Sequence, residues 1–196
     1  MAGKPLEAAQ NLDEVSRLAL MYAPIPARDA WAALLLLDRR LAEAAPSGRE
    51  PLMIQIRLAW WRDRLLEDSE AWPASEPVLQ GLRAWKGQHK SLVSLVDGWE
   101  AAVIGEDGGA DLRAARVEAY LALARLLGVE QLDAVRDVAL ETVDAERRSL
   151  ARHRMPRPMR PLAVLRAVAK RDAALRKKNR PLLDMMLIVR AGTLGW

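Results

Sequence analysis

Apolar residues recur every three or four positions along most of the chain, which is the spacing that places side chains on one face of an α-helix. Alternation of apolar and polar residues, the pattern of a half-buried strand, is absent. Phenylalanine does not occur, and β-branched residues are sparse. The pattern therefore predicts an all-α protein with about eight or nine helices.

Turn-forming residues and capping signals divide this pattern into separate helices. Asn11 followed by Glu14 resembles a capping box and predicts a first helix that ends near Pro24. Pro51 suits the first turn of a third helix, and Gly128 suits a helix C-terminus. The remaining predicted helices cover 27–45, 76–85, 91–103, 111–127, 130–153, 162–178 and 181–189.

The helix that begins at Pro51 carries two adjacent tryptophans. Its apolar stripe consists of Ile54, Leu58, Trp61 and Leu65. Trp61 is in register with this stripe, so we expect it in the core. Trp60 lies about 100° around the helix, at the edge of the stripe, where its ring suits either a cavity wall or a neighbouring helix.

Length and composition fit a single domain spanning 1–196, including the basic helices predicted over 155–196. A chain of 196 residues is shorter than the roughly 250 residues at which single cores divide. The N-terminus lacks the apolar core of a signal peptide, and the apolar run at 30–37 is far shorter than the roughly 20 residues that span a bilayer. We expect a cytoplasmic protein, either free or peripheral to the inner face of a membrane.

Several kinds of chemistry are disfavoured by the sequence. The chain has no cysteine, which excludes disulfides, thiolate metal sites and cysteine nucleophiles. His89 and His153 fall on different predicted elements without acids at metal-ligand spacing, which argues against a zinc site or a Ser-His-Asp triad. No P-loop or GxGxxG motif occurs, and the glycine-rich stretch 106–111 is expected to be a turn.

Charge is distributed unevenly along the chain. Residues 1–151 contain 18 Lys/Arg and 24 Asp/Glu, whereas residues 152–196 contain 12 and 2. A basic segment of this kind suits an acidic membrane surface, an acidic protein partner or a nucleic acid, or it is a solvated helix face. We rank nucleic-acid binding last, because few aromatics interleave with the basic residues and no helix-turn-helix pattern is recognisable.

Carboxylates four residues apart share a helix face and can bind Mg²⁺ beside a diphosphate. Asp137 and Glu141 have this spacing. Asp63 and Glu67 have it too, but arginines interleave with them, so we expect that pair on a solvated edge. Asp137 and Glu141 are the more interesting pair.

Two stretches of the chain resemble the N-terminal part of squalene/phytoene synthases: IPARDAWAALLLLDRRLAEAA at 25–45 and EPLMIQIRLAWWRDRLLE at 50–67. That family usually shows a proline-led LPxxxRxAxxALYAFxRxxDDxxD helix followed by an IxLAWWRxxL helix. The stretch MPRPMRPLAVLRAVAKRDAAL at 155–175 is similar to the end of short bacterial members. The resemblance implies a shortened isoprenoid synthase fold, a helical bundle that acts on prenyl diphosphates with Mg²⁺.

The first Asp-rich motif of the family departs from its pattern in this chain. The family's metal-binding aspartates fall at Ala42, Glu43 and Pro46, so a single acid remains there. Arg39 aligns with the arginine that contacts the diphosphate in the family. The motif tyrosine falls at Leu35. The resemblance thus implies an anion-binding arginine without its metal ligands.

The second Asp-rich motif, of the type NxxRDxxxD, has its nearest match in AVRDVALE. Arg136, Asp137 and Glu141 match this motif, and Asp133 stands at its asparagine position. An alternative alignment places this segment after a deleted central helix, in which case the match is coincidental.

These departures imply a catalytically degenerate relative that acts by binding, as an assembly or scaffold protein or as a receptor for an isoprenyl diphosphate or apolar ligand. One mitochondrial branch of the family, which serves in respiratory complex I assembly, is a precedent. The implied vestigial site comprises Glu43, Asp137 and Glu141 as acids, Arg39 and Arg136 as diphosphate ligands, and Leu35 and Trp60 as pocket wall.

Two further expectations follow. The binding role needs no cofactor, whereas the alternative, an active or partner-completed prenyltransferase, would use farnesyl or geranylgeranyl diphosphate with Mg²⁺. The basic segment 152–196 is expected to contact an acidic membrane surface or a protein partner.

Overall fold

The computed structural model describes residues 11–46, 50–105, 108–147, 153–175 and 181–196. Within these ranges the protein is a bundle of nine α-helices without a strand, as the periodicity predicts. The helices are α1 (Glu14–Met21), α2 (Ile25–Ala44), α3 (Pro51–Leu66), α4 (Pro77–Leu82), α5 (Val93–Ile104), α6 (Ala110–Leu126), α7 (Leu132–Val143), α8 (Arg160–Leu175) and α9 (Pro181–Leu194). Short 3₁₀ turns lie at Ser69–Ala71, Arg83–Trp85, Gln88–Leu92 and Arg157–Met159.

Proline marks the start of several helices. Pro26, Pro51 and Pro77 occupy the first turns of α2, α3 and α4, where the missing N–H would lack an intrahelical partner in any case. At the other end of a helix, Gly128 follows α6 with a φ of 69°, a left-handed conformation that glycine adopts without strain. Both signals confirm the helix boundaries predicted at Pro51 and Gly128.

The predicted capping box of the first helix is wrong. The N-cap of α1 is Asp13, whose Oδ1 accepts a hydrogen bond from the backbone N of Ser16 at 2.8 Å. The Ser16 hydroxyl donates to Oδ2 of the same carboxylate at 2.8 Å. Burial alone would raise the pKa of Asp13, but the bonds from Ser16 outweigh it and lower that pKa.

The predicted helix over 130–153 is present but too long. Helix α7 ends at Val143, and Asp144 has an extended backbone. The Asp144 carboxylate accepts a hydrogen bond from the backbone N of Glu146 at 3.2 Å, a local turn that competes with continuation of the helix. Residues 148–152 of the predicted helix lie outside the described residues, as do 176–178 of the next predicted helix.

Helix α2 runs through the core. Trp31, Leu37 and Leu41 on α2 are fully buried. The Trp31 Nε1 donates to the carbonyl of Pro158 at 2.8 Å, and the Trp85 Nε1 donates to the carbonyl of Ala30 at 3.1 Å. These two hydrogen bonds connect α2 to the segment before α8 and to the turn after α4.

Five of the other helices pack on α2, namely α1, α3, α4, α5 and α6. From α5 to α9 each helix packs against the next, α1 packs on α8, and α3 packs on α5. Helices α5 and α6 approach closely at Gly98, where an added Cβ would lie 2.8 Å from the Cβ of Ala115. Trp61 is buried with the rest of its predicted stripe on α3, whereas Trp60 is 39% exposed. The structure thus confirms Trp61 as a core residue.

Candidate functional site

A pocket of about 260 Å³ opens between α2 and α3. Its lining residues are Arg40, Glu43, Ala44, Arg57, Trp60 and Trp61. Arg40 and Glu43 are about half exposed, so the pocket lies at the surface and not inside the bundle. Two residues of the predicted site, Glu43 and Trp60, are therefore part of this pocket.

The aromatic wall of the pocket is a tryptophan pair. The ring planes of Trp60 and Trp61 are nearly perpendicular, with centroids 5.0 Å apart. The guanidinium of Arg64 lies 5.9 Å from the ring centroid of Trp60, which adds a cation–π contact. Leu35 is not among the lining residues; it packs against the core instead.

Arginines surround the single acid of the pocket. Glu43 accepts hydrogen bonds from Arg39 Nε at 3.0 Å and from Arg40 Nη1 at 3.2 Å. The bond from Arg39 contributes most to a lowered pKa of Glu43, and Arg40 acts in the same direction. Arg39 also donates to the carbonyl of Asn11. Arg39 and Glu43 thus satisfy each other's charge.

Arg57 is the arginine of this pocket that is available to bind an anion. Its side chain is exposed and lines the pocket. Within the part of the chain that the structure describes, Arg57 forms no ion pair, whereas Arg40 contacts Glu43 and lies 3.6 Å from Glu76. A guanidinium without a carboxylate partner can bind an incoming anion without first breaking an ion pair.

The predicted residues of the second motif lie elsewhere, on α7. Arg136 pairs with Glu118 of α6 at 3.0 Å. Asp137 accepts from Nε2 of His153 at 2.7 Å if that nitrogen carries the proton. None of Arg136, Asp137 and Glu141 lines the pocket between α2 and α3.

Glu141 differs from its neighbours because it is buried. Its side chain is 6% exposed, it bonds to Nζ of Lys170, and it lies 3.8 Å from Nη1 of Arg166. Both cations are on α8. Burial lowers the pKa of Arg166, and the negative charge of Glu141 partly offsets that shift. This arrangement connects α7 to α8 through a buried charge cluster.

The residues that the resemblance implies do not assemble into a magnesium site. Glu43 lies at the pocket with two arginines, while Asp137 and Glu141 contact a histidine and a lysine on other elements. Among the described residues, no three acids or histidines are placed so that they could hold one metal ion. The described side chains therefore do not fit Mg²⁺ bound beside a diphosphate.

A polar cluster that the sequence did not reveal connects α2 to α5 and α6. Asp38 accepts from Trp99 Nε1 at 2.8 Å and from Arg116 Nε at 3.0 Å. The Arg116 guanidinium lies 5.2 Å from the centroid of the Trp99 ring. Burial and the charge of Asp38 raise the pKa of Tyr120. The one signal in the sequence was an acid directly after four leucines, which requires a partner if that face is partly buried.

Neither the described helices nor comparisons with known proteins assign a function to the chain. No described helix is both long and apolar enough to cross a membrane. Comparisons of the chain with protein-family models, curated proteins and solved structures find no match. The pocket between α2 and α3 is the candidate site, on the strength of its own residues.

Proposed function

We propose that the protein is a noncatalytic relative of squalene/phytoene synthases that works by binding. The observation that carries this proposal is the engagement of its candidate acids in ion pairs at separate places in the fold. Glu43 is paired within α2, and Glu141 is paired with α8. The acids that would have to surround one diphosphate instead stabilise the fold at two places.

Prenyl transfer would need these acids as ligands of the metal ions that bind the diphosphate. Ionisation of an allylic diphosphate requires several kcal/mol of charge stabilisation at the leaving group, which bridging metal ions supply in the family. Mg²⁺ requires oxygen ligands in near-octahedral geometry. Glu141 could bind a metal only by leaving Lys170 and Arg166, and because Lys170 is partly exposed this separation costs about 2–3 kcal/mol. This cost supports a role without catalysis.

The volume of the pocket also supports binding of one small group rather than condensation of two substrates. Drug-sized ligands occupy pockets of roughly 300–1,000 Å³. The pocket between α2 and α3 measures about 260 Å³. Head-to-head condensation must hold two prenyl diphosphates at once, and the bundle core is occupied by Trp31, Trp85 and their leucine neighbours.

The pocket suits an amphiphilic anion such as one prenyl diphosphate. Arg57 provides a guanidinium that pairs with no described carboxylate and can bind the anionic group, and Trp60 provides an aromatic wall for an apolar chain. Ile56, on the same exposed side of α3, is 55% exposed and extends the apolar surface. Binding at this pocket would require no metal ion.

A turnover assay tests the noncatalytic part of the proposal. The protein is incubated with farnesyl or geranylgeranyl diphosphate and Mg²⁺, beside an active synthase as positive control. We expect no condensed C30 or C40 product. Formation of either product would contradict the proposal.

A thermal unfolding assay with farnesyl diphosphate and EDTA tests the binding part. Ligand at 100 times its dissociation constant stabilises the fold by about 2.7 kcal/mol, a rise of roughly 5–10 °C for a chain of this size. Arg57→Gln and Trp60→Ala should each reduce the rise. Leu66→Ala is the matched control, because Leu66 is exposed on α3 but does not line the pocket. An unchanged melting temperature in the wild-type protein would remove the pocket from the proposal.

A further inference from the structure

The C-terminal part of the bundle exposes large apolar side chains. Helix α9 has one face against the protein, with Ile188 7% exposed and Ala191 fully buried. Gly192 packs against the ring of Tyr22, so that no side chain fits there. The apolar residues exposed on or just after α9 are Met185 (65%), Met186 (69%), Leu187 (55%), Val189 (44%), Leu194 (47%) and Trp196 (39%).

Helical geometry places three of these six residues in one outward sector. At about 100° per residue, Met185, Met186 and Val189 lie within one 100° sector of α9. Ile188 and Ala191 lie on the opposite side. Because the inward face is already satisfied by α8 and Tyr22, the outward sector has no partner among the described residues. An exposed apolar surface of this kind marks an interaction site.

A cluster of arginines adjoins the end of α9. Arg154 Nε donates to the carbonyl of Leu194 at 2.8 Å, and the backbone N of Met155 donates to the carbonyl of Gly195 at 2.7 Å. Arg157 begins the 3₁₀ turn two residues after Met155, and Arg160 begins α8 directly after that turn. Burial lowers the pKa of Arg160, and the positive charges of Arg157 and Arg154 lower it further. The three positive charges thus lie close together in the fold, and Arg154 connects this group to the end of α9.

This cluster is not neutralised within the described protein. Arg154, Arg157 and Arg160 form no ion pair with any described residue, and the same holds for Arg190 on α9. Residues 152–196 contain 12 Lys/Arg and only 2 Asp/Glu. Positive charge of this density, next to an unpartnered apolar helix face, is complementary to a surface with anionic head groups over an apolar interior.

We propose that the protein docks on anionic phospholipid membranes through a C-terminal docking face, defined as Arg154, Arg157, Arg160, Met185, Met186, Val189, Arg190, Leu194 and Trp196. Helix α9 lies in the plane of the interface with Met186 and Val189 in the acyl boundary. The arginines contact lipid phosphates. Trp196 suits the head-group region, where amphipathic rings concentrate. This inference does not depend on the prenyl-ligand pocket, which lies between α2 and α3.

Two contributions should bring the docking face to the membrane. Each Lys or Arg near an anionic surface contributes about 1 kcal/mol, or roughly fivefold in partitioning. Each apolar side chain that leaves water completely raises partitioning by roughly 10- to 150-fold. A nucleic acid would use the arginines but not the methionines, and this difference favours a lipid surface.

Co-sedimentation with vesicles tests the docking face on the full-length chain. Vesicles of phosphatidylcholine with about one third phosphatidylserine are compared with pure phosphatidylcholine, at low and high salt. We expect retention on the anionic vesicles alone and its loss at high salt. The double variant Arg154→Gln/Arg157→Gln should lower the partition coefficient by about 25-fold. Met186→Ser/Val189→Ser should lower it on the same vesicles.

Matched controls separate docking from general charge or stability effects. Arg125→Gln removes an exposed arginine from α6, and Leu52→Ser removes an exposed apolar residue from α3; both should leave retention unchanged. Circular dichroism confirms that each variant is folded. Deletion of 152–196 is unsuitable, because it would remove the buried Leu162 and Ala163 of α8.

Three results would overturn the proposal. The first is equal retention on neutral and anionic vesicles, and the second is retention that the docking-face variants leave unchanged. The third is that the protein is not retained on anionic vesicles but binds polyglutamate or duplex DNA through the same arginines. That result would assign the arginine cluster to an acidic protein partner or a nucleic acid.

Discussion

Replacement of Glu141 by glutamine is expected to destabilise the fold substantially. The Glu141 side chain is 6% exposed and contacts Lys170 and Arg166 on α8. Glutamine keeps the volume of the side chain, so the substitution removes the charge without creating a cavity. Loss of one partner from a buried ion pair costs about 3–5 kcal/mol. Lys170 is 38% exposed and can be hydrated after the change, so we expect a loss of about 2–3 kcal/mol in the free energy of unfolding.

Urea denaturation followed by tryptophan fluorescence measures this loss as a lower midpoint with an unchanged slope. Asp137→Asn is the matched control, one helical turn away on α7. The Asp137 carboxylate is 42% exposed and bonded to His153, so its loss should cost no more than about 1 kcal/mol. A loss below about 0.5 kcal/mol for Glu141→Gln, or a larger loss for Asp137→Asn, would refute the assignment of Glu141 to a buried interhelical ion pair.

Gly98→Ala would force a Cβ to within 2.8 Å of the Ala115 Cβ, and should lower the free energy of unfolding by about 1–3 kcal/mol in a urea titration. Asp13 has a lowered pKa in the folded state, so its carboxylate stabilises the fold at neutral pH, and this contribution disappears as the pH falls through that lowered value. Asp13→Asn should therefore make the fall in melting temperature below about pH 4 shallower than in the wild type; an identical pH profile would argue against the cap. Trp61→Ala should lower the free energy of unfolding by about 3–5 kcal/mol, whereas Trp60→Ala should lower it by less than about 1 kcal/mol. Similar losses for the two variants would contradict the different burial of the two rings.

The helices were predictable because their signals are local. The stripe of Leu58, Trp61 and Leu65 needs only the helical repeat to place it on one buried face, and Pro51 needs only its own fixed φ to begin α3. The end of α7 was missed because the side chain of Asp144 bonds to its own backbone, a competition that apolar periodicity does not register. Local chemistry of caps and turns thus decided the boundaries.

The contacts of the polar residues were less predictable because their partners are remote in sequence. Spacing alone indicates that Arg39 and Glu43 can pair along α2. The same spacing puts Asp137 and Glu141 on one face of α7 but does not say that one meets His153 and the other Lys170. Asp38 bonds to Arg116, which lies 78 positions away in the sequence. Only the packing of the helices brings these two residues together.

Calorimetric titration of Mg²⁺ into the protein with inorganic diphosphate tests most directly whether Glu43 and Glu141 are structural partners or metal ligands. After subtraction of the heat that Mg²⁺ and diphosphate give without protein, we predict no saturable heat that depends on both, because Glu43 is held by arginines within α2 and Glu141 by cations on α8. Saturable Mg²⁺-dependent binding of diphosphate that Glu43→Gln or Glu141→Gln abolishes, in variants shown to be folded, would contradict the noncatalytic assignment.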